Sequence, residues 1–283
     1  MRLIYVPLTE ILAGQSAGGG SVVAQAIANG GKTNPKLFTK ALANSPYWPK
    51  TYRYDEPEVE EIYKSLVDLT GCSQSQDTVK CLKQVDIQKI RDASQKLAAS
   101  HTHTTSSYTW APVIDGEFIQ EPLSVATAKG RLNAELAWGM YNSHEGENFT
   151  PGGLGQSSGS GGFNSSEAGF DFWLHGFLPR FNASELAELK ELYPSTGSTE
   201  TLSYKSTSIR AGVVYRDVVL ACPALWLAEA APANGWVGEY TISPAKHASD
   251  TIYVSGSSCL HCFPDTEVRI HDITVLKFYS GIV

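Results

Sequence analysis

Hydrophobic and polar positions in the first part of the chain follow two different periods. The apolar run Ile11 to Ala13 predicts the end of a buried strand, and Gly14 to Gly18 predict a tight turn. From Ser21 to Ala28 the apolar positions recur at helical spacing, and a pair of glycines ends the predicted helix. A second strand is predicted near Lys40 to Ser45. The succession is therefore strand, sharp turn, helix and strand.

Further along the chain, helical and extended patterns continue to alternate. Asp55 and Pro57 open a helix whose apolar positions recur at helical spacing, and Gly71 ends it. The remaining predicted elements are a helix over Ile87 to Ala99, a turn over Trp110 to Ile119, a short helix around Val125, a buried strand over Leu136 to Met140, a helix from the N-cap Asn182 to Leu192, a long helix over Ile209 to Ala231 that Pro223 must kink or divide, and a strand over Trp236 to Ile242. Strands that alternate with helices predict an α/β fold with a mostly parallel sheet.

The composition is that of an ordinary globular protein. With 283 residues, of which 42% are hydrophobic and 18% charged, the chain is long enough for one large domain or two small ones. A net charge of -7 and the absence of long basic runs argue against a nucleic-acid partner. The glycine- and serine-rich stretch Pro151 to Gly162 predicts a surface loop, because the patterned segments on both sides need each other's apolar faces.

The sequence predicts neither a membrane span nor a signal peptide. No stretch of about 18 uninterrupted apolar residues occurs, which is the length that a spanning helix needs. Pro7 and Glu10 interrupt the apolar start of the chain. The sequence leaves the oligomeric state open.

Cysteines and glycosylation sequons favour a secreted protein. Cys72 and Cys81 flank the short polar loop "CSQSQDTVKC" and could form a disulfide, whereas Cys222 lies in an apolar helical run. The three Asn-X-Ser/Thr sequons are at Asn148, Asn164 and Asn182. Each sequon alone is weak evidence, but beside a candidate disulfide they indicate an oxidising, extracellular compartment.

A zinc site is the alternative interpretation of the last cysteines. Cys259 and Cys262 form a C-x-x-C pair, and His261 and His271 lie nearby. The second pair of ligands lacks the usual spacing, and a secreted context favours disulfides. We therefore expect no metal and no cofactor.

The segment Gly14 to Gly18 fits the G-x-S-x-G pattern, in which a serine nucleophile occupies a strained turn between a strand and a helix. In a chain with 25 glycines this pattern arises easily by chance, and a flexible glycine turn is the alternative. The predicted strand before it and helix after it are the context that a nucleophile requires, so Ser16 is the candidate. The Ala17 backbone N–H, at the start of the helix, is the candidate oxyanion donor.

A serine nucleophile needs a base and an acid from elsewhere in the chain. Of the seven histidines, His247 is the one that follows a predicted strand and opens a loop, although a surface histidine beside Lys246 and Asp250 is the alternative. Glu145 comes shortly after the strand that ends near Met140, as expected of a triad acid. Glu147 is its nearest competitor, and a solvated glutamate is the alternative for either residue.

Six blocks of sequence then point to a known family. They are "GQSAGGGSVVAQAIANGG" at Gly14 to Gly31, "LFTKALANSPY" at Leu37 to Tyr47, "CSQSQDTVKCL", "PVIDGEFI" at Pro112 to Ile119, "NSHEGENF" at Asn142 to Phe149 and "VGEYTISPAKHASDTIYV" at Val237 to Val254. In this order they resemble the type B carboxylesterases, the cholinesterase-like branch of the α/β-hydrolases, and particularly fungal secreted esterases and lipases. The resemblance covers roughly residues 10–255.

The resemblance implies an α/β-hydrolase fold and a serine ester hydrolase. It implies Ser16 as nucleophile, Glu145 as triad acid, His247 as base and a disulfide between Cys72 and Cys81. It further implies secretion, a small-molecule or lipid ester as substrate, and no cofactor. Gln15 stands where cholinesterases have glutamate, which removes a negative charge beside the nucleophile and favours a neutral acyl ester over choline esters.

The chain also departs from the family pattern at both ends. The family has a long N-terminal half with a glycine-rich oxyanion segment, whereas 13 residues precede Gly14 here. We therefore expect an incomplete α/β-hydrolase domain over residues 1–255, with N-terminal strands missing and the nucleophile strand exposed along an edge. We expect residues 256–283 to form a separate tail, because their sequence does not resemble the family.

Two functions remain open at this point. One is a carboxylic ester hydrolase that, as this 283-residue chain alone, is poorly soluble or inactive. The other is a cholinesterase-like protein that binds partners without catalysis. The presence of Ser16, Glu145 and His247 favours the hydrolase, and the missing oxyanion segment favours the binding protein.

Overall fold

The computed structural model describes residues 10–105, 109–150, 166–195, 197–198, 203–204, 207–251 and 273–277. Several sequence features lie outside these residues, namely the Pro151 to Gly162 loop, the sequon at Asn164, and Cys259, His261, Cys262 and His271.

A five-stranded sheet forms the centre of the fold. The strands are β1 (Ile11–Gln15), β2 (Lys40–Asn44), β3 (Leu136–Asn142), β4 (Gly197–Ser198), β5 (Ser203–Tyr204), β6 (Gly235–Tyr240) and β7 (Ile273–Lys277). Within the sheet the order is β1-β2-β3-β6-β7, with the first four strands parallel and β7 antiparallel to β6. β4 and β5 form a separate antiparallel pair. The predicted α/β fold with a mostly parallel sheet is confirmed.

Helices connect the strands and cover the sheet. They are α1 (Ala17–Ile27), α2 (Pro57–Thr70), α3 (Thr78–Gln84), α4 (Ile87–Thr105), α5 (Leu123–Ala128), α6 (Glu167–Phe177), α7 (Ala183–Leu192), α8 (Thr207–Arg216) and α9 (Cys222–Glu229). Short 3-10 turns occupy Ala28–Gly31 and Glu145–Asn148, and a π-helical turn at Asp217–Ala221 joins α8 to α9.

Residues at the ends of α2 and α7 explain why these helices begin and end where the sequence predicts. Pro57 opens α2 because its ring fixes a helical φ, and Gly71 closes it with a φ of 80°. Asn182 and Glu185 form a reciprocal capping box at the start of α7, in which each side chain accepts a hydrogen bond from the other residue's backbone N–H.

The structure corrects three details of the prediction. β1 is not the buried strand that its apolar run predicts, since Ile11 is 55% exposed. Within the described residues β1 pairs only with β2 and forms the edge of the sheet, as expected from the family resemblance. Helix α1 begins at Ala17 rather than Ser21, directly after the turn. Helix α4 continues to Thr105 instead of ending at Ala99.

The core lies in two clusters. The first packs the apolar face of α1 and residues of α5 and α9 against small side chains of the central strands, Ala41, Ala43 and Ala137. The second joins α6, α7, α8 and the π-helical turn around the buried aromatic residues Phe170, Trp173 and Tyr215. These small strand residues let the helices approach the sheet closely.

The stretch Thr207–Glu229 is long and apolar enough to qualify as a membrane-spanning helix, but 72% of its most apolar window is buried inside the protein. The π-helical turn divides it just before Pro223, as the sequence predicts. Its burial in the second cluster is that of a core helix.

A disulfide joins Cys72 to Cys81, across the loop between α2 and α3. Cys222 is a free thiol that is only partly accessible. Burial and the nearby Asp217 carboxylate raise the pKa of Cys222 to about 11, so the thiol is protonated and unreactive at neutral pH.

We predict opposite effects for two neighbouring glycines of α1. A Cβ at Gly20 would lie 2.2 Å from the Tyr47 carbonyl oxygen, whereas a Cβ at Gly18 would meet no atom within 4 Å. Gly20→Ala should therefore destabilise the protein by about 1–3 kcal/mol, because backbone must move to admit the methyl group. The control Gly18→Ala should be neutral or stabilising by up to about 1 kcal/mol, since alanine favours helix. Urea unfolding of both variants checks this, and equal stabilities would contradict it.

Candidate active site

Ser16 occupies the turn between β1 and α1 with a strained backbone. Its φ of 57° and ψ of -122° lie outside the regions that non-glycine residues favour, which costs about 1–3 kcal/mol. Three hydrogen bonds hold it there. The Ser16 N–H donates to the Asn44 carbonyl (2.9 Å), and the Ser16 carbonyl accepts from the N–H groups of Gly20 (2.9 Å) and Tyr47 (3.1 Å).

The hydroxyl of Ser16 contacts the imidazole of His247. Although Ser16 is the N-cap residue of α1, its side chain makes no capping hydrogen bond. Instead its Oγ lies 2.7 Å from Nε2 of His247, and Nδ1 of His247 lies 2.8 Å from Oε2 of Glu145. With the Nδ1 proton donated to the carboxylate, Nε2 is free to accept the hydroxyl proton. The structure therefore brings together the three residues that the sequence singled out.

Glu145 rather than Glu147 faces His247. The Glu145 side chain is fully buried, and its Oε1 accepts a hydrogen bond from the Asn142 N–H at 2.9 Å, which fixes the carboxylate. Glu147 instead pairs with Nδ1 of His144 (3.0 Å) and with the ammonium of Lys246. The 3-10 turn that carries both residues packs tightly on α8, where a Cβ at Gly146 would lie 1.8 Å from the Gly212 carbonyl oxygen.

His247 is held by its backbone and by a ring contact. Its N–H donates to Oδ1 of Asn148 (3.2 Å), and the Phe149 ring contacts the imidazole edge-to-face with centroids 4.8 Å apart. The His247 side chain is 14% exposed, in contrast to the surface histidine considered as an alternative. The neighbouring residues Ala245 and Ala248 both have positive φ, so the loop is bent sharply on each side of the imidazole.

The sequence analysis missed the buried carboxylate of Asp250. Asp250 is fully buried, and its two oxygens accept hydrogen bonds from the side-chain amides of Asn142 (2.9 Å) and Asn44 (3.3 Å). The Asn142 amide also donates to the Lys246 carbonyl (2.8 Å), beside His247. Asp250 thus links the ends of β2 and β3 to the histidine loop. A signal was available in hindsight, since asparagine ends two neighbouring strands and an aspartate follows His247 by three residues.

Ala17 is the first residue of α1 and is exposed. Its N–H belongs to the positive end of an 11-residue helix, which suits a developing negative charge. Asn148 and Asn182 of the predicted sequons are both exposed. Within the described parts of the chain, no three His, Cys, Asp or Glu side chains are placed to hold a metal ion.

We predict that Asp250 positions the histidine loop. Asp250→Asn places amide hydrogens opposite the amide donors of Asn44 and Asn142, so at least one buried donor loses its acceptor, at a cost of about 1–3 kcal/mol. The control Asp55→Asn changes an exposed carboxylate that pairs with Arg53 and should change stability by less than about 0.5 kcal/mol. Urea unfolding measures both, and equal stability of the two variants would argue against the positioning role.

Comparison with known proteins relates this geometry to curated relatives. Carboxylesterase patB of Penicillium expansum is 26% identical over 277 residues, which cover 96% of this chain and 46% of that protein. Secreted lipase 4 of Gibberella zeae is 26% identical over 86% of this chain and 45% of its own length. The chain thus spans about half the length of the curated relatives it matches.

Solved structures show the same fold. The crystal structure of Aspergillus niger EstA superposes with a TM-score of 0.66 at 23% identity, covering 85% of this chain and 46% of EstA. A PNB esterase superposes with a TM-score of 0.64 at 20% identity, covering 88% of this chain and 49% of that enzyme. Both support the α/β-hydrolase architecture.

A model of the carboxylesterase family matches residues 10–267. The match extends beyond residue 255. The boundary between a domain over residues 1–255 and a tail over residues 256–283 stays a prediction. Because the match takes in most of the 283 residues, this chain belongs to the carboxylesterase family.

Proposed function

We propose that the chain carries the catalytic triad of a serine carboxylic ester hydrolase, with Ser16 as nucleophile, His247 as general base and Glu145 as the acid that orients His247. One observation carries the proposal. Hydrogen bonds run without a break from Ser16 Oγ to His247 Nε2 (2.7 Å) and from His247 Nδ1 to Glu145 Oε2 (2.8 Å). Membership of the carboxylesterase family supports the same reaction.

The proposed reaction proceeds through an acyl-enzyme. His247 Nε2 takes the hydroxyl proton while Ser16 Oγ bonds to the ester carbonyl carbon, and the carbonyl oxygen becomes an oxyanion. When this intermediate collapses, the bond to the alcohol breaks and the leaving oxygen takes the proton from His247. Water then gives a proton to His247 and attacks the acyl carbon. The carboxylic acid leaves, and the proton returns to Ser16. Glu145 stays ionised and stabilises the imidazolium in both steps.

We also propose that the 283-residue chain alone turns over esters slowly. An α/β-hydrolase oxyanion hole combines the N–H that follows the nucleophile with an N–H from another loop, and one missing donor costs about 100- to 1000-fold in rate. The Ala17 N–H fills the first role in this proposal. The exposure of Ala17 and of Ile11 leaves this side of the turn open to a second donor.

The proposed substrate is a neutral small-molecule or lipid ester. Gln15, directly before the nucleophile, is uncharged, and its Nε2 is buried without a hydrogen-bond partner in the described part of the chain. A neutral side chain here offers no attraction to a cationic alcohol group. Two relatives carry the names carboxylesterase and secreted lipase, which agrees with this substrate class.

We further propose that the protein is secreted. Relatives from two fungi are named secreted lipases, and the Cys72–Cys81 disulfide suits an oxidising compartment. The sequons at Asn148 and Asn182 lie on exposed residues, where an oligosaccharide fits.

The triad is tested by labelling with a fluorophosphonate, which reacts with activated serines. The wild-type chain should label at Ser16, and Ser16→Ala should abolish labelling because it removes the hydroxyl that contacts the His247 imidazole. Ser21→Ala is the matched control, since Ser21 is exposed on the same helix and bonds only to the Ala17 carbonyl. Failure of the wild-type chain to label would contradict the triad and favour the non-catalytic binding protein.

The acid is tested in the same assay by comparing two glutamates. Glu145→Gln should slow labelling by about 1000-fold or more, because the amide cannot hold His247 in the required tautomer. Glu147→Gln should retain most of the rate, since Glu147 makes no contact with His247. Hydrolysis of a short-chain nitrophenyl ester, measured in parallel, checks the slow turnover. Fast hydrolysis that depends on Ser16 would refute that part of the proposal.

Glycosylation at Asn182 is tested without disturbing the helix cap. In a secretory eukaryotic host, we expect a mass shift at Asn182 that enzymatic removal of N-glycans reverses. Ser184→Ala should abolish this shift with little change in stability, because it removes the sequon but keeps the Asn182 capping interactions. Asn182→Gln removes both and should destabilise the protein by about 1 kcal/mol. An unglycosylated Asn182 in the secreted protein would refute this site.

A further inference from the structure

A cavity lies apart from the proposed triad, between the start of α2, the segment after β2 and the segment after α4. Its volume is about 420 Å³, within the range of small-molecule sites. Most of its lining is apolar or aromatic, including Val59, Ile62, Trp110 and Val113, and none of the three triad residues contributes to it.

Most polar groups around this cavity already have partners. The Glu58 carboxylate accepts three hydrogen bonds from the guanidinium of Arg180 at 2.9–3.1 Å. The Tyr63 hydroxyl bonds to Thr78, and the Trp110 ring N–H donates to Ser94. Glu61 lines the cavity as well but is exposed to solvent. These groups therefore do not need a hydrogen-bond partner from a ligand.

One cationic donor in the lining lacks an anionic partner. Lys50 Nζ donates to the Phe177 carbonyl (2.7 Å), but no described carboxylate forms an ion pair with it. Burial lowers the pKa of Lys50 to about 8, so at pH 7 it is a partly desolvated cation. Buried charges without ionic partners are costly, and an anionic ligand would reduce that cost.

We propose that this cavity binds a monocarboxylate with an aliphatic body, with the carboxylate accepting a charge-assisted hydrogen bond from Lys50 and the aliphatic chain packed against Val59, Ile62 and Trp110. The Lys50 ammonium has no anionic partner among the described residues, and a carboxylate supplies both an acceptor oxygen and the opposite charge. The apolar lining excludes a strongly hydrated anion and favours one with a hydrocarbon body. The site goes beyond the proposed ester hydrolysis, since none of its residues belongs to the triad.

The experiment compares three ligands by isothermal titration calorimetry at pH 7. Decanoate presents both the charge and the hydrocarbon, decanol presents the hydrocarbon alone, and acetate presents the charge alone. We expect saturable decanoate binding. Decanol should bind at least about tenfold more weakly, because it cannot form the charge-assisted hydrogen bond with Lys50. Acetate should not bind measurably. Binding does not require catalysis, so its outcome is independent of the triad test, and Ser16→Ala should bind decanoate as the wild type does.

Variants of the lining separate this site from general surface binding. Lys50→Met should weaken decanoate about tenfold and leave decanol unchanged, whereas Lys64→Met, on the exposed side of α2, should change neither. Ile62→Trp should fill the cavity and abolish binding of both ligands, and circular dichroism verifies that each variant is folded. If Ile62→Trp unfolds, Val59→Phe replaces it.

Loss of decanoate affinity in Lys50→Met but not in Lys64→Met supports the site. Absence of saturable decanoate binding, equal affinity for decanoate and decanol, or decanoate binding unchanged by both Lys50→Met and the cavity-filling variant would overturn it.

Discussion

The hydrogen bond from the Ser16 N–H to the Asn44 carbonyl is the contact on which the site depends. It joins the turn after β1 to the last residue of β2, and it is possible only because α1 begins with residues small enough to lie against the β2 end. Gly20 of α1 meets the Tyr47 carbonyl so closely that a Cβ would lie 2.2 Å from it. The strain at Ser16 is therefore maintained by packing, and the same packing holds its Oγ in place.

The same sheet geometry brings the other two residues of the proposed triad to that point. Because β1, β2 and β3 are parallel and adjacent, their carboxyl ends lie at one edge, and Glu145 follows β3 within a single turn. The loop after β6 returns His247 to the same edge. Most non-glycine residues with positive φ in the described chain lie here, at Ser16, Ser45, Ala245 and Ala248. Backbone strain is thus concentrated where three strand ends converge, as expected of a functional site.

The sequence predicts the regular elements well because each has a local cause. Pro57, Gly71 and Asn182 act through their own backbone or side-chain chemistry, so α2 and α7 begin and end close to the predicted residues. The three residues of the proposed triad could also be selected from the sequence, since they follow strands in a recognisable order. Other features depend on contacts distant in sequence. The apolar run around Ile11 alone predicts burial, and its exposure follows from the edge position of β1, which only the family resemblance led us to expect. The burial of Asp250 depends on distant contacts such as that with Asn44, which is 206 residues away.

Glu145 and Asp250 show why residue type alone does not assign a role. Both carboxylates are fully buried within one region of the fold. Glu145 places one oxygen against a backbone N–H and the other against the His247 imidazole, a partner that can gain a proton and become positive. Asp250 meets two asparagine amides, which cannot change charge at ordinary pH. Only the first arrangement can stabilise a charge that appears during a reaction, whereas the second can only fix geometry. The distinction between acid and positioning residue therefore lies in the partner, and the partner is set by the fold.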